Sequence, residues 1–380
     1  MPVNPIFQTL ASLIRINSVN QSYASGAGER EVATWVRHFF ENLGMEVWEQ
    51  EVFSGRPNVI ARLPGLNPER RIILEAHMDT VSTEGMTIPP FEPRIEEGKM
   101  YGRGSCDTKA GLAAMMHAVA SLHEGGIQPP CDVWLAAVVD EEYSYRGVVK
   151  LCEGLTAQAA LVAEPTGMRA VIASKGVVRW RIVVRGEAAH SSKPHLGVNA
   201  INGMARVILA LEEDHRRLAL HEHPLLGPAT LNVGMVQGGV QVNFVPDHCA
   251  IEIDRRLLPG ESVDRVLAHY QAILNHLMAI HPSLQVSMEP PMLTDRPLET
   301  PATSPPAELG RRLLSEMGLD GTLCGVPFGS DASKLSDQGI PSLVIGPGHI
   351  DQAHAAVEFV EVAEVERAFT FYRIFIARFE

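Results

Sequence analysis

The sequence predicts an α/β fold with a mostly parallel sheet, into which a smaller α+β unit is inserted. Its 380 residues exceed what one hydrophobic core usually serves, and this favours two domains. Short apolar runs alternate with amphipathic helical patterns in the first part of the chain and again near its end. Between those parts, residues 177–185 and 248–258 alternate apolar and polar side chains, which is typical of an antiparallel sheet with one solvated face.

Composition and charge exclude several classes of protein. The chain is 46% hydrophobic and 20% charged, as in ordinary globular proteins. Its formal net charge of −13 argues against a nucleic-acid partner and an anionic membrane surface, because both require a basic protein surface. No apolar run is long enough to span a bilayer. Five scattered cysteines without a CxxC pair fit reduced thiols, and the first residues lack a signal-peptide pattern, so we expect a cytoplasmic protein.

The elements of the first 176 residues follow from hydrophobic periodicity. Helical spacing predicts helices over residues 6–14, 32–43 and 109–123, and glycines follow the last two. Apolar runs predict strands, and the valine-rich run at 133–139 is typical of a central strand covered on both faces. The predicted strands are 58–63, 71–76, 133–139 and 159–163.

The remaining elements define the inserted unit and the return from it. Long helices are predicted over residues 198–213 and 261–280, beside the alternating strands. Six prolines in residues 289–306 indicate a linker back to the first domain. A strand at 342–346 and a helix at 362–379 then complete the α/β pattern. We therefore expect domain bounds of 1–176, 177–289 and 290–380, with the middle segment as the insertion.

Histidine and acidic residues follow the predicted strands, where open parallel sheets place their sites. His77 and Asp79 come after the strand at 71–76 and point the same way in extended chain. A carboxylate beside a metal-binding histidine can accept its second N–H and so fix the ring. Taken alone, this pattern is more typical of an ordinary surface histidine.

Asp107 ends a glycine-containing loop directly before the helix predicted at residue 109. Gly102 and Gly104 allow a sharp turn that presents Asp107 at the mouth of the sheet. Asp is also a favoured helix cap, which is the structural alternative for this residue.

The run Asp140-Glu141-Glu142 ends the buried strand at 133–139. Adjacent carboxylates at the end of an apolar strand repel each other and lose solvation, so we expect a compensating cation. Neighbouring side chains point different ways, and one can bind metal while the other faces a reacting water. A solvated acidic turn is the alternative.

Glu164, after the strand at 159–163, and His354, after the strand at 342–346, complete the pattern. Imidazole and carboxylate ligands suit zinc, cobalt or manganese, and two histidines with three carboxylates suit two ions that share a bridging carboxylate. Together these positions favour a catalytic metal site over separate coincidences. The predicted ligands are His77, Asp107, Glu142, Glu164 and His354.

At these motifs the chain resembles the M20 family of metallopeptidases and deacylases, which includes acetylornithine deacetylase, succinyl-diaminopimelate desuccinylase, carboxypeptidase G2 and aminoacylase. The resemblance implies a zinc-hydrolase catalytic domain with an inserted lid and dimerisation domain, a homodimer, and a place in amino-acid biosynthesis. The matching segments are Glu75-Ala76-His77-Met78-Asp79-Thr80, Tyr101-Gly102-Arg103-Gly104 with Asp107, Asp140-Glu141-Glu142, Glu164-Pro165-Thr166 and Gln352-Ala353-His354.

The resemblance also implies roles for individual residues. Glu141 would be the general base, and a cis peptide bond is expected between Asp107 and Thr108. Two zinc ions are implied, with cobalt or manganese as alternatives. One ion would be held by His77 and Glu164 and the other by Glu142 and His354, with Asp107 as the bridge.

In the inserted segment, residues 189–200 resemble the lid motif of the family. This implies that His190 reaches the active site of a partner subunit and stabilises the oxyanion. Residues 243–246 and 254–260 resemble the segments with which the family's lid grips substrate, which implies an arginine clamp for a substrate carboxylate. Alternation places Arg256 on the polar face of its strand and Arg255 on the apolar face, so Arg256 is the candidate for this clamp. Asn243 and Ser330 are further candidate substrate contacts. A surface salt bridge is the alternative for Arg256.

The function expected from these features is hydrolysis of the amide bond of an N-acyl-L-amino acid. Residues 346–354 resemble the acetylornithine deacetylase branch most closely, although relatives often read Pro-Asp-Glu where this chain has Ala356-Val357-Glu358. A metallo-exopeptidase of the same family is the alternative. A non-catalytic binding relative is disfavoured, because all five ligands and Glu141 are present.

Overall fold

A computed structural model describes residues 4–380, and the chain divides into two compact units. The first unit contains the residues up to Ile172 together with Glu299–Cys324 and Ser330–Glu380. The second unit contains Ala173–Leu298 and Gly325–Gly329. The middle of the chain is therefore an insertion, which begins close to the bound expected from the sequence and ends later than residue 289.

The described residues up to Ser174 supply most of the first unit. Their elements are α1 (Pro5–Arg15), α2 (Arg30–Asn42), β1 (Glu46–Phe53), β2 (Arg56–Leu63), β3 (Asn67–His77), β4 (Arg94–Glu96), β5 (Lys99–Tyr101), α3 (Lys109–Glu124), β6 (Cys131–Val138), α4 (Arg146–Leu151), β7 (Ala159–Val162) and β8 (Val171–Ser174).

The inserted segment and the return to the first unit supply the remaining elements. The inserted segment forms β9 (Gly176–Arg185), β10 (Ala189–His190), α5 (Ala200–Leu218), β11 (Glu222–His223), β12 (Gly227–Pro228), β13 (Thr230–Gly238), β14 (Phe244–Val245), β15 (His248–Leu257), α6 (Val263–Ile280), β16 (Gln285–Met288) and β17 (Leu293–Asp295). The return forms β18 (Leu298–Glu299), α7 (Pro305–Glu316), β19 (Cys324–Val326), α8 (Ala332–Asp337), β20 (Ser342–Val344), β21 (Phe359–Glu361) and α9 (Val362–Arg378).

Four parallel strands, in the order β6-β3-β7-β20, form the centre of the sheet of the first unit. Antiparallel β2 and β1 extend it beyond β6, and antiparallel β8 extends it beyond β20. The predicted mostly parallel α/β fold is therefore confirmed. The sequence did not predict β1, because none of its side chains is fully buried and its apolar residues do not alternate regularly with polar ones.

Alternate residues of the central strands face opposite sides of this sheet. On one side, Val133, Leu135 and Ala137 of β6 belong to the main core, to which α3 and α9 contribute. Helix α3 is buried on nearly all sides, more than the single apolar face expected from its sequence. Helices α4 and α8 contact each other and the strands outside this core.

The second unit is an antiparallel sheet in the order β13-β15-β9-β16, with β17 also paired to β9. Helices α5 and α6 cover one face, where Trp180 and Ile253 pack with Leu211 and Leu274. The opposite face is polar, so the predicted alternation is confirmed.

The proline-rich stretch at 289–306 is only partly a linker, and this corrects the expected bound at residue 290. Strand β17 lies within the stretch but pairs with Arg179–Val177 of β9, inside the second unit. Pro305 and Pro306 lie in the first turn of α7, where proline is well tolerated. Within the part of the chain that the structure describes, no helix is long and apolar enough to cross a membrane.

Candidate metal centre

The carboxyl ends of the parallel strands bring the predicted residues of the first unit together. His77 is the last residue of β3, Glu164 follows β7, and the run from Asp140 to Glu142 follows β6. His354 comes from the segment after β20. These ends meet because parallel strands finish at the same edge of a sheet.

Asp107 lies between the two histidines. Its Oδ1 atom is 3.0 Å from Nε2 of His77, and its Oδ2 atom is 3.3 Å from Nε2 of His354. Nε2 of His354 is also 3.1 Å from Oε2 of Glu142. Each oxygen of Asp107 faces a different histidine, so this carboxylate has the position that a bridging ligand requires.

Two overlapping groups of side chains can hold a metal ion. In the first, ligand atoms of His77, Glu141 and Glu164 lie within 4.8 Å of one another. In the second, the same holds for His77, Asp107 and Glu142. Nitrogen and carboxylate oxygen donors of this kind fit zinc and similar divalent ions. Glu141, which the resemblance implies as the base, lies within the first group.

The ionisation of these side chains indicates that a cation is needed. Burial, together with the nearby charge of Asp107, raises the pKa of Glu142 to about 7. Burial also raises the pKa of Glu141 and of Glu164 well above the usual range. Hydrogen bonds to Asp107 and Glu142 raise the pKa of His354 to about 10. A divalent ion would allow these crowded carboxylates to ionise together.

Asp79 positions this cluster through the backbone. The 2.9 Å contact of Nδ1 of His77 is with the backbone oxygen of Asp79, and the Asp79 carboxylate is 3.5 Å from that nitrogen. The carboxylate accepts hydrogen bonds from the backbone N–H groups of Glu141 and Glu142, both at 3.1 Å. Asp79 therefore fixes both the ring of His77 and the start of the acidic run.

Sequence reasoning missed Asn20, which forms a hydrogen bond with the carboxylate of Asp79. Its side-chain amide donates to Asp79 at 2.8 Å and to Asp140 at 2.9 Å. Asp140 also accepts from Arg56 at 3.2 Å, and Arg56 pairs with the buried carboxylate of Glu29 at 2.5 Å. Asn20 follows α1 in a loop without periodicity, so the sequence gave no signal for it.

The predicted cis peptide bond between Asp107 and Thr108 is confirmed. Ser330, which belongs to the first unit, is buried, and its hydroxyl has no hydrogen-bond partner among the described residues.

The other candidate residues belong to the second unit and are not part of the metal cluster. His190 is exposed, and its Nδ1 atom is 2.8 Å from the hydroxyl of Ser192. Asn243 is exposed as well. Arg256 lies on the polar face and pairs with Asp254 at 2.8 Å, while Arg255 is buried beside Tyr270, as alternation indicated.

The family model described as peptidase family M20/M25/M40 matches residues 73–378 of the chain. The chain belongs to this family. Members of the M20 family are metal-dependent hydrolases, and this protein is one of them. The resemblance drawn from the motifs is therefore confirmed.

Named relatives of this M20 protein remove acyl groups or cut peptides. Acetylornithine deacetylase of Myxococcus xanthus is 32% identical over 318 residues, covering 82% of this chain and 80% of that protein. N-formyl-4-amino-5-aminomethyl-2-methylpyrimidine deformylase of Halalkalibacterium halodurans is 30% identical over 363 residues, covering 87% and 84%. The solved structure of a dinuclear metal-binding M20 peptidase from Bacillus subtilis covers 99% of this chain and 98% of its own, with a TM-score of 0.74 and 17% identity. This last likeness concerns the fold.

Proposed function

We propose that the protein hydrolyses the amide bond of an N-acyl-L-amino acid with the help of two divalent metal ions. The observation that carries this proposal is the position of Asp107, whose two carboxylate oxygens face His77 and His354 separately. The deacetylase relative from Myxococcus xanthus supports the choice of an acylated amino acid.

The donor set fits zinc, with cobalt or manganese as alternatives. His77 and Glu164 would hold one ion, Glu142 and His354 the other, and Asp107 would bridge them. Two such ions lower the pKa of water and polarise the substrate carbonyl.

Glu141 is the general base in this proposal. It takes a proton from the attacking water and passes it to the leaving amine, a role that requires a carboxylate close to the reacting atoms. Burial raises the pKa of Glu141 well above its usual range, which is the direction expected for a carboxylate that accepts a proton.

The second unit supplies most of the substrate contacts and acts as a lid and dimerisation unit. In this proposal His190 stabilises the oxyanion in a partner subunit, and Arg256 and Asn243 bind the substrate carboxylate together with Ser330 of the first unit. Support for a homodimer comes from β13, an edge strand of its sheet that exposes Met235 and Val236. Five free, buried cysteines fit a cytoplasmic enzyme.

A metallo-exopeptidase is the second candidate, because the family that the chain belongs to is described as a peptidase family. Both candidates use the same ions and the same base. The difference lies in what occupies the acyl side of the bond, a small acyl group or an amino-acid residue. Because one relative is a deformylase, an N-formyl aminomethylpyrimidine is a further compound to test.

The test is amine release from a substrate panel with added zinc or cobalt and a chelator control. The panel contains N-acetyl-L-ornithine, N-succinyl-L,L-diaminopimelate, an N-formyl aminomethylpyrimidine and several dipeptides. Metal-dependent release from an acylated amino acid supports the proposal. Release from dipeptides alone replaces it with the exopeptidase. Release that persists with the chelator, or no metal uptake at all, refutes the metal-dependent mechanism.

A further inference from the structure

Glu358 is a fully buried carboxylate, at 0% exposure, in the segment that follows His354. Its Oε2 atom accepts hydrogen bonds from Nη1 of Arg103 at 2.7 Å and from the backbone N–H of Gly104 at 3.0 Å. Its Oε1 atom accepts from the backbone N–H groups of Cys106 at 2.9 Å and Asp107 at 3.1 Å. Four donors therefore converge on one side chain.

The loop that these donors belong to is irregular, and its other hydrogen bonds include those from Arg103 to the backbone oxygens of Pro90 at 2.8 Å and Ser82 at 2.9 Å. Residues 102–107 form neither helix nor strand, and Gly102 and Gly104 have positive φ angles of 141° and 80°. The backbone N–H of Gly102 also reaches the Glu358 segment, at the main-chain oxygen of Glu358, 3.2 Å away. Glu358 therefore takes a direct part in setting where the backbone of Asp107 lies.

The same segment carries a second candidate ligand. His354 lies four residues before Glu358, and its side chain is 51% exposed. Directly after Glu358, β21 pairs with β5, so that Phe359 faces Tyr101 at the start of the Asp107 loop. The segment from His354 to Phe359 thus carries one candidate ligand and also binds the loop that carries another, Asp107.

We infer that Glu358 is a positioning residue of the metal centre, which holds Asp107 so that its two carboxylate oxygens face His77 and His354. This inference rests on the proposed metal centre. A glutamate is required because its carboxylate only accepts hydrogen bonds, as four donors demand. A glutamine would turn its NH2 group towards two of these donors and leave them unpaired in the interior.

The test compares Glu358→Gln with two controls in the full-length protein. Glu361→Gln removes a largely exposed carboxylate that forms an ion pair with Lys99, 3.6 Å away, on the neighbouring strand. Leu313→Ala opens a cavity in the core far along the chain, in α7, and lowers stability without touching the loop. Metal-free samples are titrated with Co2+ and followed by visible absorption, and each variant is melted to show that it folds.

We expect Glu358→Gln to bind the second Co2+ ion about 10–100-fold more weakly, with an altered absorption spectrum, because groups that orient ligands contribute on this scale. Both controls should bind two Co2+ ions as the wild type does. If Glu358→Gln does not fold, Glu358→Asp takes its place: it keeps the charge but is too short to reach all four donors, and a weaker second site is expected.

The outcomes separate the two claims. If the folded Glu358 variant binds two Co2+ ions with wild-type affinity and spectrum, the positioning role is wrong and the proposed function stands. A loss of affinity in Leu313→Ala equal to that in the Glu358 variant also overturns the role, because general destabilisation would then explain it. If the wild type itself fails to bind two ions, the proposed metal centre is wrong.

Discussion

The metal-centre residues of the first unit and the substrate candidates of the second unit differ in how they are held. His77, Asp107 and Glu164 are buried and tied to one another and to the backbone around them. His190 and Asn243 are exposed, and Arg256 is half-buried against Asp254 of its own strand.

This difference indicates which parts of the site exist before substrate arrives. The buried cluster is preorganised, since its geometry is set by hydrogen bonds that the folded chain already makes. In the proposed function, the residues of the second unit would give up solvent or a local partner to bind substrate. Substitutions in the first unit should therefore affect chemistry or folding, and substitutions in the second should affect substrate binding.

The largest effect is expected for Glu141→Gln. Loss of a general base should lower kcat by about 10²–10⁴-fold. Because Glu141 lies in one group with His77 and Glu164, metal content must be measured beside kcat. Two bound ions with little turnover identify the base, whereas loss of an ion would make Glu141 a ligand instead.

Replacing Arg56 with Gln tests the buried network beneath the cluster. Its side chain is 7% exposed and contacts Glu29 and Asp140, so its removal leaves two buried carboxylates without their cation. We expect a loss of about 3–5 kcal/mol in the free energy of unfolding, measured with urea.

The matched control for Arg56 is Arg216→Gln in the second unit. Arg216 and Glu213 form a surface pair with side chains 63% and 51% exposed. Its loss should cost less than about 1 kcal/mol. Equal losses at both positions would contradict the contrast between the two units.

A smaller effect, confined to substrate binding, is expected for Arg256→Gln. A hydrogen bond to a charged group contributes about 1.5–3 kcal/mol, which predicts a rise in KM of about 10–100-fold with kcat little changed. Steady-state kinetics on the substrate found in the panel measures both. A fall in kcat at constant KM would place Arg256 in the chemical step.

The smallest effect concerns His117 of α3, which contacts Thr9 of α1 at 2.8 Å. Burial lowers the pKa of His117 to about 4, whereas the pKa of a histidine in the unfolded chain is about 6.5. The unfolded chain therefore binds an extra proton between these values, and stability should fall as the pH drops through this window.

His117→Gln should remove that part of the acid sensitivity. Urea unfolding at pH 7.5 and pH 5 measures it, because the free energy should fall less in the variant than in the wild type. An identical fall in both proteins would show that His117 does not titrate in this window.

Sequence patterns predicted the features that repeat or lie close together along the chain. Alternation and apolar runs indicated the two sheets, and strand ends indicated the metal cluster. Strand β1 was missed because it lies at an edge and its apolar side chains are only partly buried. The prolines around β17 indicated a linker, whereas the structure has a strand there that pairs with β9.

The positioning residues of the site could not be read in the same way. Glu358 is 251 residues from Asp107 and meets its backbone N–H, which leaves no trace in side-chain periodicity. Asn20 reaches Asp140 across 120 residues. Their roles depend on contacts that only the folded chain creates, whereas metal ligands are recognisable by residue type and strand position.

The exit and return points of the insertion are neighbours within the first unit. The backbone N–H of Thr300 donates to the oxygen of Ile172 at 2.8 Å, so the ladder of β8 closes behind the inserted chain. The chain therefore leaves and re-enters the first unit without interrupting the strand order of the host sheet. A longer or shorter insertion at this point would leave the strands that carry the candidate metal ligands in place.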